Sequence, residues 1–156
     1  MSIDELESVA QAMVAPGKGI IAIDESNATI KKRFEAVGVP NTEENRRAYR
    51  EMLLTAPGLG EHISGAILYD ETIRQSTKAV EPFTKVMTDA GILPGIKVDT
   101  GAKPLAGFPG ELGTEGLDGL RERLAEYAKL GAKFAKWRAV ITIGEDAPSG
   151  TCSEAN

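Results

Sequence analysis

The stretch GLDGLRERLAEYAKLGAKFAKWRAVIT, residues 116–142, changes its period halfway along. Leu117, Leu120, Leu124 and Tyr127 keep the i, i+3, i+4 spacing of one buried helical stripe, so a helix is predicted over residues 114–131. Gly131 is placed to end it in the left-handed conformation that glycine adopts without strain. Beyond it Phe134, Trp137, Val140 and Ile141 supply the aromatic and β-branched content of a strand, predicted over residues 132–142. Lys136 and Arg138 lie two apart in that strand and therefore share a face. An unpaired ammonium is costly to bury or gives up its proton, so the strand predicts an anion within reach of its cations.

The same alternation runs upstream. Residues 2–15 read as a helix with a capping box of Ser2 and Glu5, Leu6, Val9 and Met13 on one face, and Pro16-Gly17 as the stop. Strands are predicted at GIIAID (19–24), SGAILYD (64–70) and PGIKVDTG (94–101). Between them fall helices near 26–37, closed by Gly38, over 41–56, capped by Asn41 or Thr42 and broken by Pro57-Gly58, and over 81–91. Strands separated by helices are the pattern of βα units laid into a parallel sheet. Just past the strands come Asp24-Glu25-Ser26, Asp70-Glu71-Thr72 and Asp99-Thr100. Barrels and doubly wound sheets alike place their sites at these carboxyl ends.

The 156 residues suit one domain with a core of its own, and the whole of 1–156 is expected to form it. A net charge of -5, with no long Lys/Arg block, argues against nucleic acid as a partner. No apolar run approaches the roughly 18 residues of a membrane span, and the acidic start is unlike a signal peptide. One cysteine, Cys152, excludes an internal disulfide, and a cytoplasmic location is the expectation. One histidine, His62, with that one cysteine falls short of the ligand set of a zinc site, so neither metal nor cofactor is expected. PGKG at 16–19 and GLG at 58–60 lack the full frames of phosphate and dinucleotide loops. His62 reads as a loop residue and Cys152 as inert.

Two strands repeat one feature. Lys97 and Asp99 share a face of their strand, as Lys136 and Arg138 do of theirs, so consecutive strands are expected to bring three cations to one pocket; the alternative is that each lysine lies on a solvated edge or snorkels to the rim. Clustered cations hold phosphate or depress a neighbouring amine into a nucleophile, which together point to a phosphorylated carbonyl substrate. Asp24 closes the first strand, either as a general base or as the N-cap of the next helix.

In order along the chain, GKGIIAIDES, NTEENRRAYREMLLTA, GIKVDTGAKPLAG, GLDGLRERLAEYAKLGAKFAKWRAVITIGE and the closing PS resemble the amino-terminal half of class I fructose-bisphosphate aldolases. The resemblance runs from about residue 12 to 150. It implies an α/β fold of the TIM (β/α)8-barrel family, of which this chain supplies about the first four βα units; a whole barrel takes about 250 residues. It also implies reversible cleavage of fructose 1,6-bisphosphate to dihydroxyacetone phosphate and glyceraldehyde 3-phosphate through a lysine Schiff base, without metal, in glycolysis and gluconeogenesis, commonly in a tetramer.

By matching motif, Asp24 of AIDES takes the place of the aspartate that handles the hydroxyl proton beside the scissile bond. Ser26, Thr29 and Arg33 lie where the family contacts a substrate phosphate; Thr29 stands where vertebrate members have serine and keeps the hydroxyl. Lys97 and Lys136 match two active-site lysines that do not form the Schiff base, and Arg138 matches a phosphate-binding arginine. The Schiff-base lysine of the family lies on a later strand, in a block like LLKPN that these 156 residues do not contain. The isolated chain is therefore expected to be inactive. Alternatives are a non-catalytic half-barrel that assembles with its own copy or a complementing carboxy-terminal half, and a transaldolase-like Schiff-base barrel.

Overall fold

The computed structural model describes residues 2–156. The chain divides into two compact units, Met1–Lys97 with Ala125–Ala135 and Val98–Leu124 with Lys136–Asn156.

The first unit holds α1 (Ile3–Met13), β1 (Gly19–Ala22), α2 (Asn27–Ala36), α3 (Glu43–Leu54), α4 (Leu59–His62), β2 (Ile63–Leu68), α5 (Asp70–Ile73), α6 (Phe83–Asp89) and β3 (Leu93–Lys97). The predicted caps form: Ser2 and Glu5 complete the capping box of α1, and the Thr42 hydroxyl accepts from the Asn45 amide at the start of α3. The second unit carries an antiparallel hairpin of β4 (Gly101–Pro104) and β5 (Leu112–Glu115). It begins α7 (Leu120–Lys129), which ends in the first unit, and contains α8 (Gly150–Ala155); β6 (Phe134–Lys136) runs from the first unit into the second.

β1 pairs with β2 and β2 with β3, both parallel, and the sheet order is β1-β2-β3-β6. Lys133 N donates to Pro94 O at 2.8 Å where β6 joins β3. Register decides what each face carries. Ala22, Ile67 and Gly95 form one cross-strand row, and Leu68 pairs with Ile96 in the next. Because side chains alternate, Ile23, Leu68 and Ile96 point to the opposite face, and all three are buried. Helices α2 and α6 bury Ile30, Phe34, Phe83 and Met87, completing an apolar core.

Three expectations are corrected. Helix α7 starts at Leu120 rather than near 114, and its stripe is not buried throughout: Tyr127 is 3% exposed, but Leu124 is 39% and Leu117, outside the helix, 71%. The residues before it are taken by β5, and Gly116 then turns at φ 131°, where an added Cβ would lie 2.9 Å from Thr100 N. The strand predicted over 132–142 pairs only at Phe134–Lys136, and the Arg138 carbonyl instead accepts from Thr114 Oγ1 at 3.3 Å. The strand predicted over 94–101 ends at Lys97, since Gly101 already belongs to the hairpin, which the sequence reading did not anticipate.

Candidate active site at the carboxyl ends of the strands

The last row paired across all three strands is Ala22, Ile67 and Gly95, and strand alternation carried one step further puts Asp24, Tyr69 and Lys97 on that same face. The pairing persists to this edge, where Ile23 N donates to Ile67 O at 3.0 Å. Two strand spacings put the Asp24 and Lys97 backbones about 10 Å apart. Asp24 is buried and Lys97 half-buried. The N-cap alternative for Asp24 falls away: Ser26 is the N-cap residue of α2. A carboxylate and an ammonium on one face can move a proton and hold negative charge at opposite sides of a substrate.

The connection after Asp24 is held by α3. The Glu25 carboxylate has a side chain only 7% exposed and stands 3.0 Å from Arg50 Nη2, which also donates to the Glu25 carbonyl at 3.1 Å. Arg33 reaches the same carboxylate from α2. Ser26 and Thr29, one turn apart, bring their hydroxyls to 3.3 Å. Arg46 grips Glu71 with two bonds, Nε at 2.7 Å and Nη2 at 2.6 Å, and that fork raises its pKa above the ordinary guanidinium value. Burial pushes the Arg50 guanidinium the other way, against the attraction of Glu25.

Glu25, Arg46, Arg50 and Glu71 were not among the predicted site residues. Their signal lay in RRAYR: Arg46, Arg50 and Leu54 recur every four residues, so the arginines stand on the face that α3 buries. Beyond β2, Tyr127 donates its hydroxyl to Asp70 Oδ1 at 2.9 Å while Arg74 pairs with Asp70 and Glu126.

In the second unit Lys136 is half-buried and its carbonyl accepts from Val98 N at 3.1 Å; Arg138 is exposed. Arg123 donates to the Val98 carbonyl at 3.0 Å and also to that of Gly116, securing the residues after β3. Glu111 is buried and takes both the amide and the hydroxyl of Ser149, at 2.7 and 2.6 Å. Those two donors hold its carboxyl below the usual range, the hydroxyl contributing most. His62 ends α4 on the surface, and Cys152 is buried with Sγ 3.7 Å from Leu112 O. Among the described residues no three His, Cys, Asp or Glu side chains gather as a metal site, and no helix is long and apolar enough to cross a membrane.

Parallel strands joined through helices, with charge collected at their carboxyl edge, define an α/β protein of the kind that barrels and doubly wound sheets share. The chain belongs to the class-I fructose-bisphosphate aldolase family, whose sequence model, described as "Fructose-bisphosphate aldolase class-I", matches residues 5–156. It is similar to a probable fructose-bisphosphate aldolase class 1 of Xanthomonas campestris pv. campestris, 74% identical over 156 residues, covering 100% of this chain and 47% of that protein. It is 56% identical over 140 residues to the chloroplastic fructose-bisphosphate aldolase 3 of Arabidopsis thaliana, covering 90% of this chain and 36% of that one. The ternary co-crystal structure of fructose-bisphosphate aldolase from Plasmodium falciparum in complex with TRAP and a small-molecule inhibitor superposes with a TM-score of 0.94 at 46% identity, over 97% of this chain and 44% of that chain. The chain thus spans about half the length of the curated relatives it matches, and the expected fold class holds for the part it supplies.

Proposed function

We propose that these residues form the amino-terminal part of the active site of a fructose-bisphosphate aldolase, which reversibly cleaves fructose 1,6-bisphosphate to dihydroxyacetone phosphate and glyceraldehyde 3-phosphate. The family match carries the reading, and the placement of Asp24 and Lys97 on one sheet face supports it. The substrate ketone condenses with a lysine amine, losing water, to give an iminium. A base then takes the C4 hydroxyl proton, the C3–C4 bond breaks, and its electron pair moves into the iminium to leave an enamine. Asp24 is the group proposed to handle that proton. Lys97 and Lys136 stabilise developing charge, and Ser26, Thr29, Arg33 and Arg138 bind phosphate.

The iminium-forming lysine belongs, in this reading, to sequence outside these 156 residues. The assembled protein is proposed to act in cytoplasmic glycolysis and gluconeogenesis, without metal, as a homo-oligomer like the tetramers of its family. Neither nucleic acid nor membrane enters this reading.

A second reading is a half-barrel that assembles without catalysing. It is favoured by Ile20, 42% exposed on edge strand β1, whose outer side has no partner strand among the described residues. Mixing this chain with the carboxy-terminal part of the Xanthomonas relative separates the two. Cleavage on mixing, lost in D24N, supports the aldolase; assembly without cleavage overturns it in favour of the second reading.

A further inference from the structure

Arg50 is the most deeply buried ion-pairing cation described, with a side chain 3% exposed. It belongs to α3, yet its Nη2 meets both the carbonyl and the carboxylate of Glu25, 25 residues away, in the connection from β1 to α2. Its Nε and Nη1 are buried without a hydrogen-bond partner among the described residues. The guanidinium stacks over the Tyr49 ring, 5.2 Å from its centroid, and Tyr49 meets Phe34 edge-on at 5.8 Å, so its position is closely set.

A buried guanidinium with two unsatisfied nitrogens is a poor device for stability. Apolar residues of similar volume at such sites are often neutral or stabilising. What Arg50 does supply is control of one peptide. Glu25 directly follows Asp24, and its carboxylate is the same group that Arg33 grips.

We propose that Arg50 is a positioning residue: by clamping the carbonyl and carboxylate of Glu25, it fixes the connection that carries Asp24 and aligns Arg33. This rests on the roles proposed for Asp24 and Arg33, but its test needs no substrate, so failure of either can be told from failure of the other. The groups facing the clamp are Glu25 and Asp24 of the connection, Arg33 of α2, Glu71 of α5, which Arg46 already holds, and Tyr49 on α3 itself.

The test compares R50M and R50K with the parent chain. It reads amide exchange at Ile23 and Ile30, which flank the connection and bond to Ile67 O and Ser26 O, and the carboxyl carbon signal of Asp24, assigned with D24N. In R50M, exchange at these two amides should accelerate about tenfold or more, the loss expected for a charged hydrogen bond, and the Asp24 signal should shift or broaden. Ile92 and Lys133, bonded elsewhere in the unit, should keep their protection. R50K, which keeps the charge but not the planar guanidinium, should restore part of the parental protection. Parental exchange and an unmoved Asp24 signal in R50M overturn the proposal, as does equal acceleration at all four amides. If R50M does not fold, R50K decides by the same local-against-global comparison.

Discussion

The Phe134 ring lies across Gly95 so closely that a Cβ there would come within 2.3 Å of its Cζ, and within 3.1 Å of Cε1 from Gly65. Both glycines occupy the face that carries Asp24 and Lys97, Gly95 one step back along its strand and Gly65 one step further back on the next. The aromatic ring of β6 thus fills the space that the missing side chains of β2 and β3 leave.

Gly95→Ala should therefore overpack this face and destabilise the protein by about 1–3 kcal/mol. The increment due to the alanine should shrink in the F134A background, where no ring remains to clash with it. Denaturant unfolding of the two single variants and the double variant measures the coupling; strictly additive losses would contradict the packing.

Acid should loosen α8. Ser149 holds the Glu111 carboxyl below its ordinary pKa in the folded state, so its contribution is complete above the unfolded value of about 4.3 and is lost as pH falls through the lower folded value. The Cys152 amide bonds to Ser149 Oγ, and the residue is 1% exposed, so its thiol reports on this contact. Labelling with a pyridyl disulfide should be slow at neutral pH and quicken below about pH 4. In E111Q it should already be faster at neutral pH and lose most of its acid dependence.

The polypeptide of these 156 residues should not cleave fructose 1,6-bisphosphate by itself, since acid–base groups do not replace an absent nucleophile. Borohydride with dihydroxyacetone phosphate should leave its intact mass unchanged. A reduced adduct on any lysine would disprove this.

In the complemented enzyme, D24N should lower kcat by about 10²–10⁴-fold, the range of a lost general base. Lys97→Met and Lys136→Met should each lower it by about 10²–10³-fold through lost charge stabilisation. Ser26→Ala should act chiefly on KM, as one hydroxyl of the Ser26–Thr29 pair is removed. Steady-state kinetics separates these outcomes; a kcat unchanged by K97M would remove Lys97 from the chemistry.

The α/β class, a strand beginning at Gly19, the cap at Ser2 and a cap at Asn41 or Thr42 were legible in the amino acids because each depends on neighbours within a turn or a strand. The family was legible for a different reason: long ordered motifs carry it whatever the local conformation. The hairpin was not, since KPLAGFPGEL has the glycines and prolines of any loop and its strands are only four residues each. The leucine stripe misled because spacing reports which residues share a helical face and is silent on whether anything covers it, as exposed Leu117 and Leu124 show.

Periodicity and motif order were enough to set the succession of the parallel strands, the family and the candidates Asp24 and Lys97, all of which are written over short distances in the chain. Burial of Arg50 against Glu25, the fork of Arg46 on Glu71, and the seat of Phe134 over Gly95 arise from packing between elements distant in sequence. A guanidinium looks the same in a sequence whether water or a buried carboxylate surrounds it. Its partner and its desolvation are properties of the folded neighbourhood.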